Sequence, residues 1–499
     1  MELAFEKSNL AFLDCTIRET RGQEETAEVI VPDSYPDAER VICASASCML
    51  RSKECRAGSI VISGAVRANA LYAPEDGSWP RMLEAYIPFS VRFDHPAADE
   101  QTQVICGLAV RQADARLVNS RKLLIRVGIG CQLAGYEAKT QEICTLKSAP
   151  ETLQTRTQTY PLCLPLMTGE KAFVISENVE LGGAEEVVAQ IIWYRCEPEI
   201  TDRKLVGRRA VFKGNLVLHL LYENESHALL TLERRIPFSQ YCELSEDADD
   251  DTLSVSLSVT GAELEADSEG KRLLLSVSFV TQCLVTGMRN VQVTEDAYAI
   301  GAVFTPQWQQ TTLRCILDRQ TPCEQVGAQI AGEVSTVICC QADVDAPQQQ
   351  RADGRVRISV PVNVHLLYLD SSGALQCAQQ RTESVYEAAV GEGTQCTVSA
   401  QIDNTQALLS SGGAEVRAGV CMTLEFTAEQ TLRSLCGGTL EEAACDAARP
   451  SVILRVCPGG TTLWELGKQY EARADAIAGA NHLSGDTVPE EMLLLIPIR

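Results

Sequence analysis

The chain has 499 residues, too many for one ordinary core, so several domains are expected. Its 43 basic and 67 acidic residues leave a net charge of −24, which disfavours nucleic acid and anionic lipid as partners. The 21 cysteines are odd in number, lie mostly in apolar strand-like segments and form no Cys-x-x-Cys pair, which points to reduced, packed thiols rather than a disulfide scaffold or a zinc site.

In chain order, Met1 to Lys7 lacks a basic start followed by an apolar stretch, and no uncharged apolar run approaches the ~20 residues that span a bilayer. Neither export nor membrane insertion is therefore expected, and the reading is cytoplasmic. A first strand is predicted at Val66-Arg67-Ala68-Asn69-Ala70-Leu71-Tyr72, followed by Tyr86-Ile87-Pro88-Phe89-Ser90 and by Lys122 to Val127. The Thr-, Gln- and Pro-rich stretch Ser148 to Pro165 reads as a linker. The same landmarks then return as Leu216 to Tyr222, Arg235-Ile236-Pro237-Phe238-Ser239 and Arg272 to Val277. A third round, Val362 to Tyr368, Glu383-Ser384-Val385 and Glu415 to Val420, is degenerate. Tyr72, Tyr222 and Tyr368 stand 150 and 146 residues apart, a period that means duplicated domains rather than a solenoid.

Period-two alternation in Ser254 to Val259 and Leu273 to Phe279 predicts half-buried antiparallel strands. The fold class expected is mainly β, with three tandem sandwich-like units over 1–150, 151–308 and 309–440, set in a row. Gln348-Gln349-Gln350 reads as a hairpin tip in the third unit, and Gly437 to Pro450 as a second linker.

Residues 449–499 read as a separate small module of order strand, helix, helix, strand. Val452 to Val456 is apolar and Pro458-Gly459-Gly460 turns the chain. Thr462 with Glu465 three residues on makes a capping box, and Leu463, Leu466 and Tyr470 share one helical face. A second short helix runs from about Arg473 to Ala480 and is broken by Asn481-His482-Leu483 before the closing strand Leu493 to Pro497.

No catalytic constellation is visible. His219 and His365 occupy the repeat position that Asn69 fills in the first unit, which marks a strand-face residue rather than a general base. No Gly-x-Ser-x-Gly, His-Glu-x-x-His or phosphate-cradling loop occurs, so no enzyme, cofactor or metal is expected. The acidic run Glu246 to Asp251 lacks the ligand spacing of a calcium loop and reads as solvated.

Two resemblances organise these readings. Gly460-Thr461-Thr462-Leu463-Trp464, Asn481-x-Leu483 and Leu494-x-Ile496-Pro497 resemble the start, middle and end of LysM domains. That resemblance implies a βααβ fold and a shallow groove for N-acetylglucosamine polymers or a protein partner, formed by Gly459, Gly460, Thr461, Thr462, Leu463, Trp464, Asn481, His482 and Leu483. Thr461 stands where the family has Asp, and Glu490-Glu491 where a Gly-Gln turn is usual, and both weigh against glycan. Trp464 is open to two readings, sugar platform or core residue; helical spacing places Tyr470 in the core.

The repeated Leu-Tyr strand, the Ile-Pro-Phe-Ser edge and Val31-Pro32-Asp33-Ser34-Tyr35-Pro36-Asp37 resemble the SPOCS domain of spore-forming Firmicutes. SPOCS repeats with a C-terminal LysM imply a non-enzymatic spore-coat adaptor or scaffold. Its implied partner is the coat-nucleating morphogenetic ATPase, at the forespore surface in the mother cell, with self-association of the repeats as a further reading. The alternative is a peptidoglycan-binding wall protein.

Overall fold

The computed structural model describes residues 3–183, 185–248, 250–442 and 450–498. Arg449, Arg499, Asp249 of the acidic run and the 443–449 part of the second linker lie outside the described residues.

Valine, threonine and leucine alternate with polar residues through most of the chain, and they form strands that bury one face. The first set comprises β1 (Phe5–Ile30), β2 (Ala38–Arg56), β3 (Ser59–Pro74), β4 (Arg81–Asp94), β5 (Gln103–Asn119) and β6 (Lys122–Leu146). These make two antiparallel sheets, β1-β6-β5 and β2-β3-β4. Ile17, Ile60, Ile62, Val66, Phe93 and Leu123 belong to the one core the two sheets share.

The second set repeats this order with β7 (Leu153–Glu180), β8 (Val188–Val206), β9 (Arg209–Asn224), β10 (Leu229–Glu243), β11 (Thr252–Ala266) and β12 (Arg272–Ala299). The Ser148 to Pro165 segment is therefore a linker only before Leu153. Its threonines suit β structure, and beyond that point they pair along β12.

In the third set two strands are each broken in two: β13 (Ala302–Gln320) and β14 (Cys323–Ala331), then β15 (Val334–Val344) and β16 (Gln348–Ala352). Pro322 and Pro347 stand at the two breaks, where a residue without an N–H ends a ladder. Gln348 to Gln350, expected as a hairpin tip, thus opens an edge strand. β17 (Arg355–Asp370), β18 (Leu375–Ala389), β19 (Gln395–Ser410) and β20 (Gly413–Glu442) complete the set. Position 308, the junction read from the sequence, falls inside β13, and the chain passes between sets at Ile300-Gly301, where Gly301 takes a φ of +65°.

The three sets are not beads in a row. The long first and last strands of each set run past its sandwich as two-stranded ribbons, and a ribbon alone leaves an apolar face in water. The three ribbons bury these faces on one another: Phe12 and Ile143, Leu162 and Val293, and Leu313 and Leu432 meet in one shared core. A second shared cluster joins Ile42 and Leu71 to Ile192 and Leu221 and to Leu375. The contacts run in a cycle, β4 to β8, β10 to β15 and β18 to β2. Polar bonds cross the same seams. Gln282 accepts from the Cys106 N–H (2.9 Å) and donates to its carbonyl (2.8 Å), and Arg195 pairs with Asp343 at 3.2 Å.

Cys323 and Cys421 are directly opposed in β14 and β20, with Cα atoms 4.1 Å apart, and form a disulfide. At these two positions this corrects the expectation of reduced thiols; the other described cysteines are free, and directly opposed cross-strand residues are the ones whose sulfurs come within reach.

The chain ends with β21 (Val452–Cys457), α1 (Leu463–Tyr470), α2 (Ala474–Ala480) and β22 (Met492–Pro497) around Leu463, Leu466, Ile477, Leu494 and Ile496. The structure is thus mainly β, in several small antiparallel sheets. Among the described residues no helix is long and apolar enough to cross a membrane.

Candidate functional site

Gly460 takes a φ of +87°, which a residue with a Cβ resists, and so lets the chain reverse after Pro458. Its N–H donates to the Val488 carbonyl at 2.7 Å, and Thr461 Oγ1 donates to the Pro458 carbonyl at 2.9 Å. Thr462 then caps α1, its Oγ1 accepting from the Glu465 N–H at 3.2 Å. Leu463 donates its N–H to the Asp486 carbonyl at 2.8 Å and buries its side chain. The 459–463 loop therefore lies against 486–488.

Asn481 serves the fold. Its Nδ2 donates to the Ile477 carbonyl (2.8 Å) and the Leu495 carbonyl (2.7 Å), and its Oδ1 accepts from the Leu495 N–H (2.7 Å). One amide thus ties the end of α2 to β22. His482 follows with a φ of 56° and an exposed ring, and Leu483 packs back on the core.

Trp464 points away from these loops. Its Nε1 donates to Asp296 Oδ2 at 2.9 Å, and its ring meets Tyr298 edge-on at 4.9 Å. The Arg156 guanidinium lies 5.7 Å from the indole ring. One turn on, Lys468 Nζ donates to Asp296 Oδ1 at 2.6 Å, and the Tyr298 hydroxyl donates to the Ala472 carbonyl at 2.8 Å. Burial raises the Asp296 carboxyl, but its bonds to Lys468 and Trp464 outweigh this and hold it below the ordinary value. Burial pushes the Tyr298 phenol up to about 12.

The structure therefore keeps the two loops within the C-terminal unit and sends Trp464 to an interface with β7 and β12. Arg156, Asp296 and Tyr298 were missed by sequence reasoning. They belong to no motif, and Trp464 meets Asp296 across 168 residues of chain. Tyr470 packs beside the core beneath Arg455.

The repeat landmarks are structural. Tyr72 and Tyr222 donate to the Pro36 and Glu186 carbonyls (3.0 and 3.2 Å), each fixing the approach to the second strand of its set. Arg121 is bonded to Asp33, Tyr35 and Asp37, so the acidic approach of the first set is a clamp. In the acidic run Glu246, Asp247 and Asp250 are exposed as expected, whereas Asp251 turns its carboxylate inward to pair with Arg289.

Where the sets meet, Cys43, Trp193, Arg195, Asp343 and His365 line a cavity of about 60 Å³, enough for a few waters. Burial lowers the pKa of His365.

Residues 187–267, which cover β8 to β11, match the family model described as SipL, SPOCS domain. The chain is thus similar to SPOCS-containing proteins, which suggests a sporulation-related protein. No curated protein and no solved structure matches.

Proposed function

We propose that the chain is a non-enzymatic sporulation adaptor or scaffold, with a LysM-type C-terminal module that docks on a protein partner. The partner class is the coat-nucleating morphogenetic ATPase at the forespore surface, in the mother-cell cytoplasm. The observation that carries this over the wall-binding alternative is the engagement of the groups a sugar would need. The Asn481 amide is spent on the α2–β22 clamp, and the Trp464 ring is packed edge-on by Tyr298. A pyranose stacks on an aromatic face beside the binding loops and takes hydrogen bonds from free amides; here the Asn481 amide is engaged within the fold and the Trp464 ring is turned from the loops into its contact with Asp296 and Tyr298. The SPOCS match at 187–267 supports the sporulation context. The shared cores of the three sets suit a scaffold that presents several surfaces in fixed relation.

Deleting residues 449–499 is expected to release the protein from the forespore surface of sporulating cells while the remainder keeps its melting transition. Normal localisation of the truncated protein would argue against docking through this module. Calorimetric titration of the whole chain with N-acetylglucosamine oligomers is expected to give no saturable heat; saturable heat would favour the wall-binding reading.

A further inference from the structure

The two-stranded sheet of the C-terminal unit has two faces of unequal fate. Ile453, Arg455, Cys457, Leu494 and Ile496 face α1 and α2. The other face presents Val452, Leu454, Val456, Leu493 and Leu495, which are 36 to 64 % exposed. Register sets them across from one another, Leu454 opposite Leu495 and Val456 opposite Leu493, with Pro497 opposite Val452. An antiparallel sheet with one solvated face alternates apolar with polar, and here the solvent side carries no polar side chain at all. Contiguous apolar surface of this kind marks an interaction site.

From this we infer that the outer face of β21–β22 is a docking surface for one amphipathic helix of a partner protein. Geometry selects a helix. Each strand has six residues, or about 20 Å, the length of a helix of about 13 residues. Two strands with their side chains are about 10 Å across, the diameter of one helix. Area disfavours a second copy: the five side chains expose on the order of 400 Å², whereas a stable pair needs roughly 800 Å² from each partner. Charge disfavours it too, because each copy carries a net −24. Exposed Glu490 and Glu491 immediately precede β22, so the fitting helix carries leucine-like residues at i, i+3, i+4 and i+7 and lysine or arginine at its ends.

This deepens the docking reading above and rests on it. The deletion experiment tests the module as a whole, and the following titration tests only the face, so the two fail separately. The full chain is titrated by calorimetry with a synthetic leucine-patterned helical peptide of about 14 residues with terminal lysines, and with a scrambled peptide of the same charge. The patterned peptide is expected to bind saturably and the scrambled one not. L454D/L495D should weaken binding at least tenfold without moving the melting transition, and V456K, a second exposed position, should act in the same direction. Binding that both variants leave unchanged, equal binding of the scrambled peptide, or no binding at all would overturn the inference. So would a wild-type dimer in sedimentation that L454D/L495D splits, because the face would then belong to a second copy.

Discussion

At the scale of single residues, the Ile-Pro-Phe-Ser landmark is half of a packing pair whose other half is a glycine. Phe89 stands opposite Gly64 and Phe238 opposite Gly214 in the neighbouring strand. A Cβ on Gly64 would meet the Met49 carbonyl as well as Phe89 Cζ at 2.5 Å, and one on Gly214 the Glu199 carbonyl as well as Phe238 Cζ at 2.9 Å, so the missing side chain admits both the ring and the close approach of the strand on the other side. In the third set the pair is Val360 opposite Ser384. The bulk has crossed from one strand to the other, and what reads in sequence as decay is a volume exchange. Ser384 keeps a trace of it, with a buried hydroxyl that has no hydrogen-bond partner. Ser384→Phe alone should overpack the site and cost about 1–3 kcal/mol, and adding Val360→Gly should recover at least ~0.5 kcal/mol of that loss. Chemical denaturation of the two single variants and the double gives the coupling. Strictly additive values would mean that the two positions do not share one volume.

At the scale of elements, alternation and capping are local signals, and the elements they mark form. Thr462 caps α1, and Leu273 to Phe279 lies in β12. What α1 rests on was not legible, because docking depends on Asp296 and Tyr298, single residues of a distant strand end. The two sequence readings of Trp464, sugar platform or core, both omitted a domain interface. The split strands of the third set were legible only in hindsight, since Pro322 and Pro347 sit among many prolines that lie inside strands. Asp296→Ala should loosen the seat of α1 by about 1 kcal/mol, seen as roughly fivefold faster amide exchange over 463–470. Most of this comes from the indole bond, because Lys468 is half exposed and screened by solvent. Acid should act in the same direction. The docked Asp296 carboxyl is held below its ordinary value of 3.8, so its contribution is complete above that value and is lost as pH falls through the lower, docked one. Exchange in α1 that does not respond to acid in the wild type more than in Asp296→Ala would contradict this role.

At the scale of the whole molecule, ring closure changes what a repeat means. A 150-residue period suggests modules that each stand alone, and each set does have its own core. The strand lengths say otherwise. β1, β7 and β13 begin well outside their sandwiches, and Phe12, Leu162 and Leu313 on those extensions are buried only because the other two ribbons are present. Removing the third set, residues 302–442, would uncover both the ribbon core and the cluster around Ile42, Leu71, Ile192 and Leu221. It would also leave Arg195 without Asp343, and Arg18 without Glu425. Opening such surfaces costs the transfer of several large side chains to water, about 1.5–3 kcal/mol for each one fully exposed, against a total stability of ordinary size. A fragment of residues 1–301 is therefore expected to melt well below the whole chain, or to aggregate, instead of behaving as two intact thirds. Calorimetry of the fragment and the full chain decides the matter. One cooperative transition for the full chain, with a lower one for the fragment, is the signature of a ring. Separate transitions that survive truncation unchanged would mean that the shared cores contribute little and that the sets are independent after all.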